Sequence, residues 1–276
     1  DALAASLTPC LYSNDALARL AAAAAGRPVS VHVKVDTGMH RVGVYPPRDT
    51  VAFVDRVAAS GLTVEGIFTH LARSEEDVPA TDEQLACFLQ VLDEVRAAGH
   101  APGLRHAANT GGTLLHPATH LDLVRCGIGI YGLEPGPGAA AGRGLRPALS
   151  WRSAVSMVKR LPKGERTSYG HRYELSQDAW IATVPVGYAD GYPRPVSSGA
   201  EVLIGGRRCR VAGTVTMDQI MVDCGDMEPA TGAEVVLIGA QDGEEISAEE
   251  LAGHADTIGY EIVTRIGQRV PREYVG

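Results

Sequence analysis

Residues 29–35 read VSVHVKV, residues 50–59 TVAFVDRVAA and residues 64–69 VEGIFT. The first and third are short, β-branched runs of strand type. Between them Val51, Val54 and Val57 recur at helical spacing, and Gly61 stops the pattern. Strand, helix and strand in so short a span make a βα unit, whose strands lie parallel with the helix crossing one face. The same grammar continues downstream. Thr81 and Gln84, three apart, form a capping box that predicts a helix over 82–98, and Gly99 ends it. Two further strands are predicted at 104–107 and 121–126. Repeated βα units close either into a barrel or into an open doubly wound sheet, and periodicity leaves both open.

Past the Gly/Pro/Ala-rich stretch 134–147 the pattern changes. The runs at 151–161, 180–186, 201–204, 208–211, 220–222 and 234–238 are strand-like with turns between them, and Ser247 with Glu250 caps a short helix before a second one within 257–266. The expectation is an α/β domain over 1–145 and a mostly β domain over 146–276.

The 276 residues carry a formal net charge of -8, and no cluster of Lys and Arg offers a nucleic acid the cationic face it needs. A small molecule is the expected ligand. Cys10, Cys87, Cys126, Cys209 and Cys224 are odd in number and lack metal-ligand spacing, as in reduced thiols of a cytoplasmic protein, and no metal site is expected. The alanine run 21–25 is too short to span a bilayer, so no membrane association is expected. The chain starts at Asp1 and not at Met, as a piece of a longer protein would.

Gly127-Ile-Gly-Ile-Tyr-Gly132 has G-x-G-x-x-G spacing, but no amphipathic helix follows, so a dinucleotide fold is not indicated. A glycine-permitted turn after a strand, with backbone N–H groups able to hold a phosphate, is the better reading. His70, His106 and Arg125 each fall at the C-terminal end of a predicted strand, where βα barrels gather ligands. Asn109 and Thr110 follow His106, either to bond a phosphate or to cap a helix ahead of Leu114. Lys34, Asp36 and Arg41 end a strand. Lys34 sits in an apolar run, where an ammonium needs an ion-pair partner such as Asp36 or a chemical modification. Tyr169 and Tyr188 stand in turns between small residues, placed to meet a ligand or to pack on the surface.

Together the segments KVDTGMHRVG (34–43), HAANT (106–110), VRCGIGIYG (124–132), SYG (168–170), GYADG (187–191), MDQ (217–219) and GYE (259–261) resemble bacterial alanine racemase, a pyridoxal-phosphate enzyme of fold-type III. The resemblance runs over essentially the whole chain. It implies an isomerase of alanine that serves D-alanine and peptidoglycan precursor synthesis, built as a partial TIM-like (β/α) barrel followed by a β domain, and working as a homodimer with shared sites. By the same resemblance Arg125 donates to the pyridine nitrogen. An arginine keeps its proton, so the ring nitrogen stays unprotonated and the ring is a weaker electron sink. Thr110, Gly127, Ile128 and Tyr260 would hold the phosphate, with Asn109 a further candidate. Arg41 would reach the phenolic oxygen and the substrate carboxylate. Tyr169 matches the family's catalytic base, linked through His70 to Arg125. Met217 would line the substrate pocket of the other subunit, Tyr188 its entrance, and Lys34 matches a position often carbamylated.

One departure matters. The family racemises with two bases, and a lysine that forms the Schiff base serves the second face of Cα. Lys34, Lys159 and Lys163 are the only lysines, and none lies in the required A-x-x-K-A-[DN]-A-Y-G-H-G context. The expectation is that this chain alone does not racemise alanine and that the first βα units of the barrel are absent from it. Alternatives are another fold-type III amino-acid racemase or decarboxylase, and a non-catalytic pyridoxal-phosphate-binding or dimerisation module. The MDQ and GYE segments favour alanine racemase.

Overall fold

A computed structural model describes residues 2–139 and 142–275, so positions 140 and 141 of the Gly/Pro/Ala-rich stretch lie outside the described residues. The chain divides into two compact units, Asp1–Ile130 with Gly138–Arg143, and Tyr131–Pro137 with Gly144–Gly276.

The first unit alternates strand and helix: β1 (Cys10–Leu11), α1 (Asn14–Ala24), β2 (Ser30–Lys34), α2 (Thr50–Ala59), β3 (Thr63–Phe68), α3 (Val78–Ala97), β4 (Leu104–His106) and α4 (Thr110–Leu115). The strands form one parallel sheet in sequence order, as consecutive βα units require. Val31, Val33 and Val35 of the β2 run share a face with Ile67 of β3 and pack on Phe53, Val54 and Val57 of α2 and on Phe88, Val91, Leu92 and Val95 of α3. Each such fully buried side chain contributes about 1.5–3 kcal/mol. Strand alternation sends His32, Lys34, Gly66, Phe68 and His106 to the opposite face.

Two expectations need correction here. α3 begins at Val78, because Asp77 accepts from Ala80 N at 3.0 Å and Pro79 occupies the first turn. Thr81 and Gln84 are therefore inside the helix and make no capping box. Gln84 instead takes the Ala72 N–H at 2.8 Å and donates to the His70 carbonyl at 3.3 Å. Residues 121–126 are not a strand. Leu121 is left-handed (φ 49), and the segment touches its neighbours through Asp122 N to Arg105 O and Arg125 N to Ala108 O, both 3.0 Å.

The second unit is mostly β, with β5 (Trp151–Ala154), β6 (Met157–Leu161), β7 (Arg166–Thr167), β8 (Tyr173–Glu174), β9 (Ala179–Val184), β10 (Glu201–Ile204), β11 (Arg207–Val211), β12 (Ile220–Asp223), β13 (Glu234–Gln241) and β14 (Glu244–Ile246), then α5 (Ala248–His254) and α6 (Gly259–Arg265). The main sheet runs β14-β13-β10-β11-β12-β9-β6, with β5 on β13, and its pairings are antiparallel. The single strand expected at 151–161 is two, parted at Val155 and Ser156, whose N–H groups bond Ala233 and Thr183 respectively. Ser247 caps α5 as expected, accepting from Glu250 N at 3.0 Å.

Candidate active site

The face of the first unit's sheet away from its core holds the polar groups. Phe68 stacks on His106 with ring centroids 4.5 Å apart and planes at 6°. The Arg125 guanidinium lies 5.2 Å from the Phe68 centroid and Lys34 Nζ 5.8 Å from it. Both groups thus lie over the same ring, an arrangement that favours a cation by about 0.5–2 kcal/mol.

Arg125 is held at both ends. Its Nη2 donates to the carbonyls of Thr69 (2.8 Å) and Ala107 (2.9 Å) and approaches His70 Nδ1 at 3.2 Å, while Nη1 donates to His106 Nδ1 at 2.8 Å. Arginine has donors only, so His106 must accept at Nδ1 and carry its proton on Nε2. His70, whose Nδ1 faces the same cation, keeps its proton on Nε2 because an N–H at Nδ1 would point at a group with no acceptor. Burial, and next the positive charge of Arg125, pull His70 and His106 down to about 4. Burial also lowers Arg125 to about 10, which leaves it charged at neutral pH. Its Nε–H and second Nη1 hydrogen have no acceptor among the described residues, so they remain for a ligand.

Thr110 Oγ1 accepts from Gly127 N at 3.1 Å and Gly129 N at 3.4 Å, which joins the start of α4 to the turn at 127–130 and keeps the hydroxyl hydrogen for another acceptor. A Cβ on Gly127 would meet nothing within 4 Å, so the chain's own packing does not call for glycine there. Asn109 works as the cap of α4: Oδ1 accepts from Gly112 N at 2.9 Å and Ser74 Oγ at 2.7 Å, and Nδ2 donates to Leu71 O and Glu75. Its side chain is engaged throughout.

Lys34 is 6% exposed and forms no ion pair among the described residues. Asp36, the partner weighed for it, instead accepts from Gly38 N (3.1 Å) and His40 N (2.9 Å) and lies 3.3 Å from the His40 ring. Burial, then the charge of Arg41, lower Lys34 and favour its neutral amine. Arg41 is exposed, with no partner among the described residues.

In the second unit Tyr169 opens a 3-10 turn, Tyr169–His171, and is 74% exposed. The turn is fixed behind it: Ser168 Oγ donates to Thr214 O at 2.6 Å, and Thr214 Oγ1 donates to Tyr169 O at 2.9 Å. The loops bearing Tyr188 and Met217 are bonded to each other, Tyr188 N to Thr216 O (3.1 Å) and Ala189 N to Met217 O (3.0 Å). A Cβ on Gly187 would stand 2.3 Å from the carbonyls of both Thr216 and Met217, so only glycine permits this approach. Arg269 also bridges the two loops, 3.3 Å from Asp190 and 3.1 Å from Asp218. Tyr188 (41%) and Met217 (53%) are left exposed, and Tyr260 lies half-buried on α6.

Two residues of the first site escaped the sequence reading. His32 touches His106, and Phe68 supports both cations. The signal was present, because His32 and Lys34 are two apart on a strand and so share a face.

Comparison with known proteins bears on the whole arrangement. The family profile described as "Alanine racemase, N-terminal domain" matches residues 1–135, and "Alanine racemase, C-terminal domain" matches 148–274. The chain is 52% identical over 253 residues to an alanine racemase of Symbiobacterium thermophilum, covering 91% of this chain and 67% of that one. It is 44% identical over 283 residues to an alanine racemase of Frankia casuarinae, covering 99% and 73%. The solved alanine racemase of Streptomyces coelicolor A3(2) superimposes with TM-score 0.94 at 41% identity, over 99% of this chain and 74% of that one. The shared fold is an α/β barrel-like domain followed by a mostly β domain. The chain belongs to the alanine racemase family.

Proposed function

We propose that the chain carries the ring-clamping and phenol-bearing parts of an alanine racemase site that uses pyridoxal phosphate, shared between the two copies of a cytoplasmic homodimer. Residues 1–145 are taken as barrel and 146–276 as the β domain. The observation that carries the reading is Arg125, a buried guanidinium fastened through its terminal nitrogens with an unengaged Nε–H. That donor suits a pyridine nitrogen. The cation, the hydroxyl of Thr110 and the open turn at Gly127 and Ile128 suit a phosphorylated ring, with Tyr260 a further candidate at the phosphate and Asn109 placing Thr110 by capping α4.

Pyridoxal phosphate, when bound, supplies a conjugated ring that takes up the charge left on Cα when the α-proton departs. Arg125 keeps its proton and limits how much charge the ring nitrogen accepts, which disfavours side reactions. Arg41 binds the alanine carboxylate and fixes which face of Cα is presented. Tyr169 Oη removes or returns the proton on one face. A phenol is a weak base at neutral pH and needs help for this. His70 Nε2–H, its orientation dictated by Arg125, is a donor suited to stabilise the phenolate. Met217 limits the side-chain pocket and Tyr188 lines its entrance. The neutral form of Lys34, which burial favours, can add carbon dioxide with loss of a proton, and the resulting carbamate would pair with Arg41.

No lysine of the chain lies in the family's Schiff-base motif, so the test supplies one. The 276-residue chain with pyridoxal phosphate should give no conversion of L- to D-alanine. Joined to a segment bearing that motif it should racemise, and Tyr169→Phe or Arg125→Ala should then lower kcat about 10²-fold or more. A fusion that binds pyridoxal phosphate yet stays inactive, or one indifferent to Tyr169→Phe, would falsify the reading.

A further inference from the structure

Beyond the groups that meet the reactants, the first unit contains a directed chain of side chains. Arg125 Nη1 donates to His106 Nδ1 at 2.8 Å, and His106 Nε2 lies 2.8 Å from His32 Nδ1. The guanidinium has only hydrogens to offer, so His106 must accept at Nδ1 and, as a neutral ring, carry its hydrogen on Nε2. His32 must then accept at Nδ1 and keep its own hydrogen on Nε2. Every proton in the chain is placed by Arg125.

This bridge has an unusual geometry. His32 is on β2 and His106 on β4, and β3 lies between them. Neighbouring strands are about 4.8 Å apart, so the two rings must meet above the intervening strand. The residue beneath is Gly66, paired with His32 on one side and Leu104 on the other. A Cβ there would stand 2.6 Å from His32 Cε1 and 2.8 Å from His32 Nδ1. Glycine weakens a strand interior, and here it clears the path for the imidazole pair. Phe68 closes one side by stacking flat on His106.

We propose that His106 and His32 are positioning residues for Arg125: together they remove the remaining pivot of its guanidinium and aim Nε–H at the ring nitrogen of the cofactor. Held only at Nη2, by Thr69 O, Ala107 O and His70, the group could swing about that nitrogen. The bond from Nη1 to His106 stops the swing, and His32 stops His106 from turning. The inference rests on the reading that Arg125 faces a pyridine nitrogen. Burial, which lowers both histidines and holds His106 at about 4, keeps the two rings in the neutral form the chain needs.

The test has two arms on the 276-residue chain. Nitrogen-15 labelling of histidine should show His32 and His106 at pH 7 each protonated at Nε2 alone; an imidazolium, or a hydrogen on Nδ1 of either ring, overturns the proposal. In the second arm pyridoxal phosphate is titrated by its absorbance into His32→Leu and His32→Asn chains. The asparagine keeps an acceptor where Nδ1 stands. Loss of one hydrogen bond from the chain should raise Kd roughly fivefold to tenfold for His32→Leu, and His32→Asn should stay within about twofold of the parent. Thermal midpoints of both variants should lie well above the titration temperature, so that Kd is read on folded chain. Equal affinities in the two variants overturn the positioning role alone. Failure of the parent chain to bind pyridoxal phosphate overturns the preceding reading of Arg125 itself.

Discussion

His70 and His106 meet the same guanidinium, and both are depressed to about 4 from an ordinary 6.5. Between those values the unfolded chain binds protons that the folded chain refuses. The stability they confer is therefore complete above about 6.5 and is lost as pH falls toward about 4. The urea midpoint should drop between about pH 7 and pH 5, and His106→Asn should flatten that dependence. Lys34 yields a second expectation at this scale. Carbon-13 bicarbonate should give a carbamate resonance in the parent chain that Lys34→Arg abolishes, because a guanidine does not add carbon dioxide under these conditions. Lys34 was legible in the sequence as an ammonium in an apolar run, which demands a reason, whereas the context of Arg125 and Tyr169 suited packing as well and their roles were implied by the resemblance. His32 was not legible, since a histidine among valines looks like half-buried packing until a partner two strands away is known.

Among the elements, those with local caps or strict alternation were readable. β2, β3, α2 and β10 stand within a residue of expectation, and α5 starts at its Ser247 cap. α3 was displaced because a proline at its second position and Asp77 outcompete Thr81. Asp77→Ala should cost about 1 kcal/mol in chemical denaturation, whereas Thr81 makes no cap to lose. β14 went unread although Asp242 and Gly243, both with positive φ, mark a tight hairpin after β13. Gly187→Ala tests a tertiary joint: a methyl 2.3 Å from two carbonyls must part the Tyr188 and Met217 loops, costing about 1–3 kcal/mol. Any loss of alanine turnover in the fusion protein should accompany that change.

For the molecule as a whole, the change from alternating βα units to antiparallel strands was visible in the pattern of residues, but whether the βα units close was not. Closure depends on strands distant in sequence, which no local period encodes. The division of chemistry was legible, since the expected domains 1–145 and 146–276 already part Arg125, His70 and Thr110 from Tyr169, Met217 and Tyr188, and the two compact units keep them apart. If each site draws on two copies, mixing Tyr169→Phe and Arg125→Ala fusion proteins should restore about a quarter of parental activity, because random pairing makes half the dimers hybrid and gives each hybrid one intact site. Recovery of none would show that sites are not shared. Tyr169 also borders a groove of ≈ 580 Å³ lined by Ser168, Gly170, His171, Thr216 and Met221. If sites are shared between copies as proposed, a drug-like wedge seated there would part this phenol from its neighbour's guanidinium, and its potency should weaken as enzyme is concentrated.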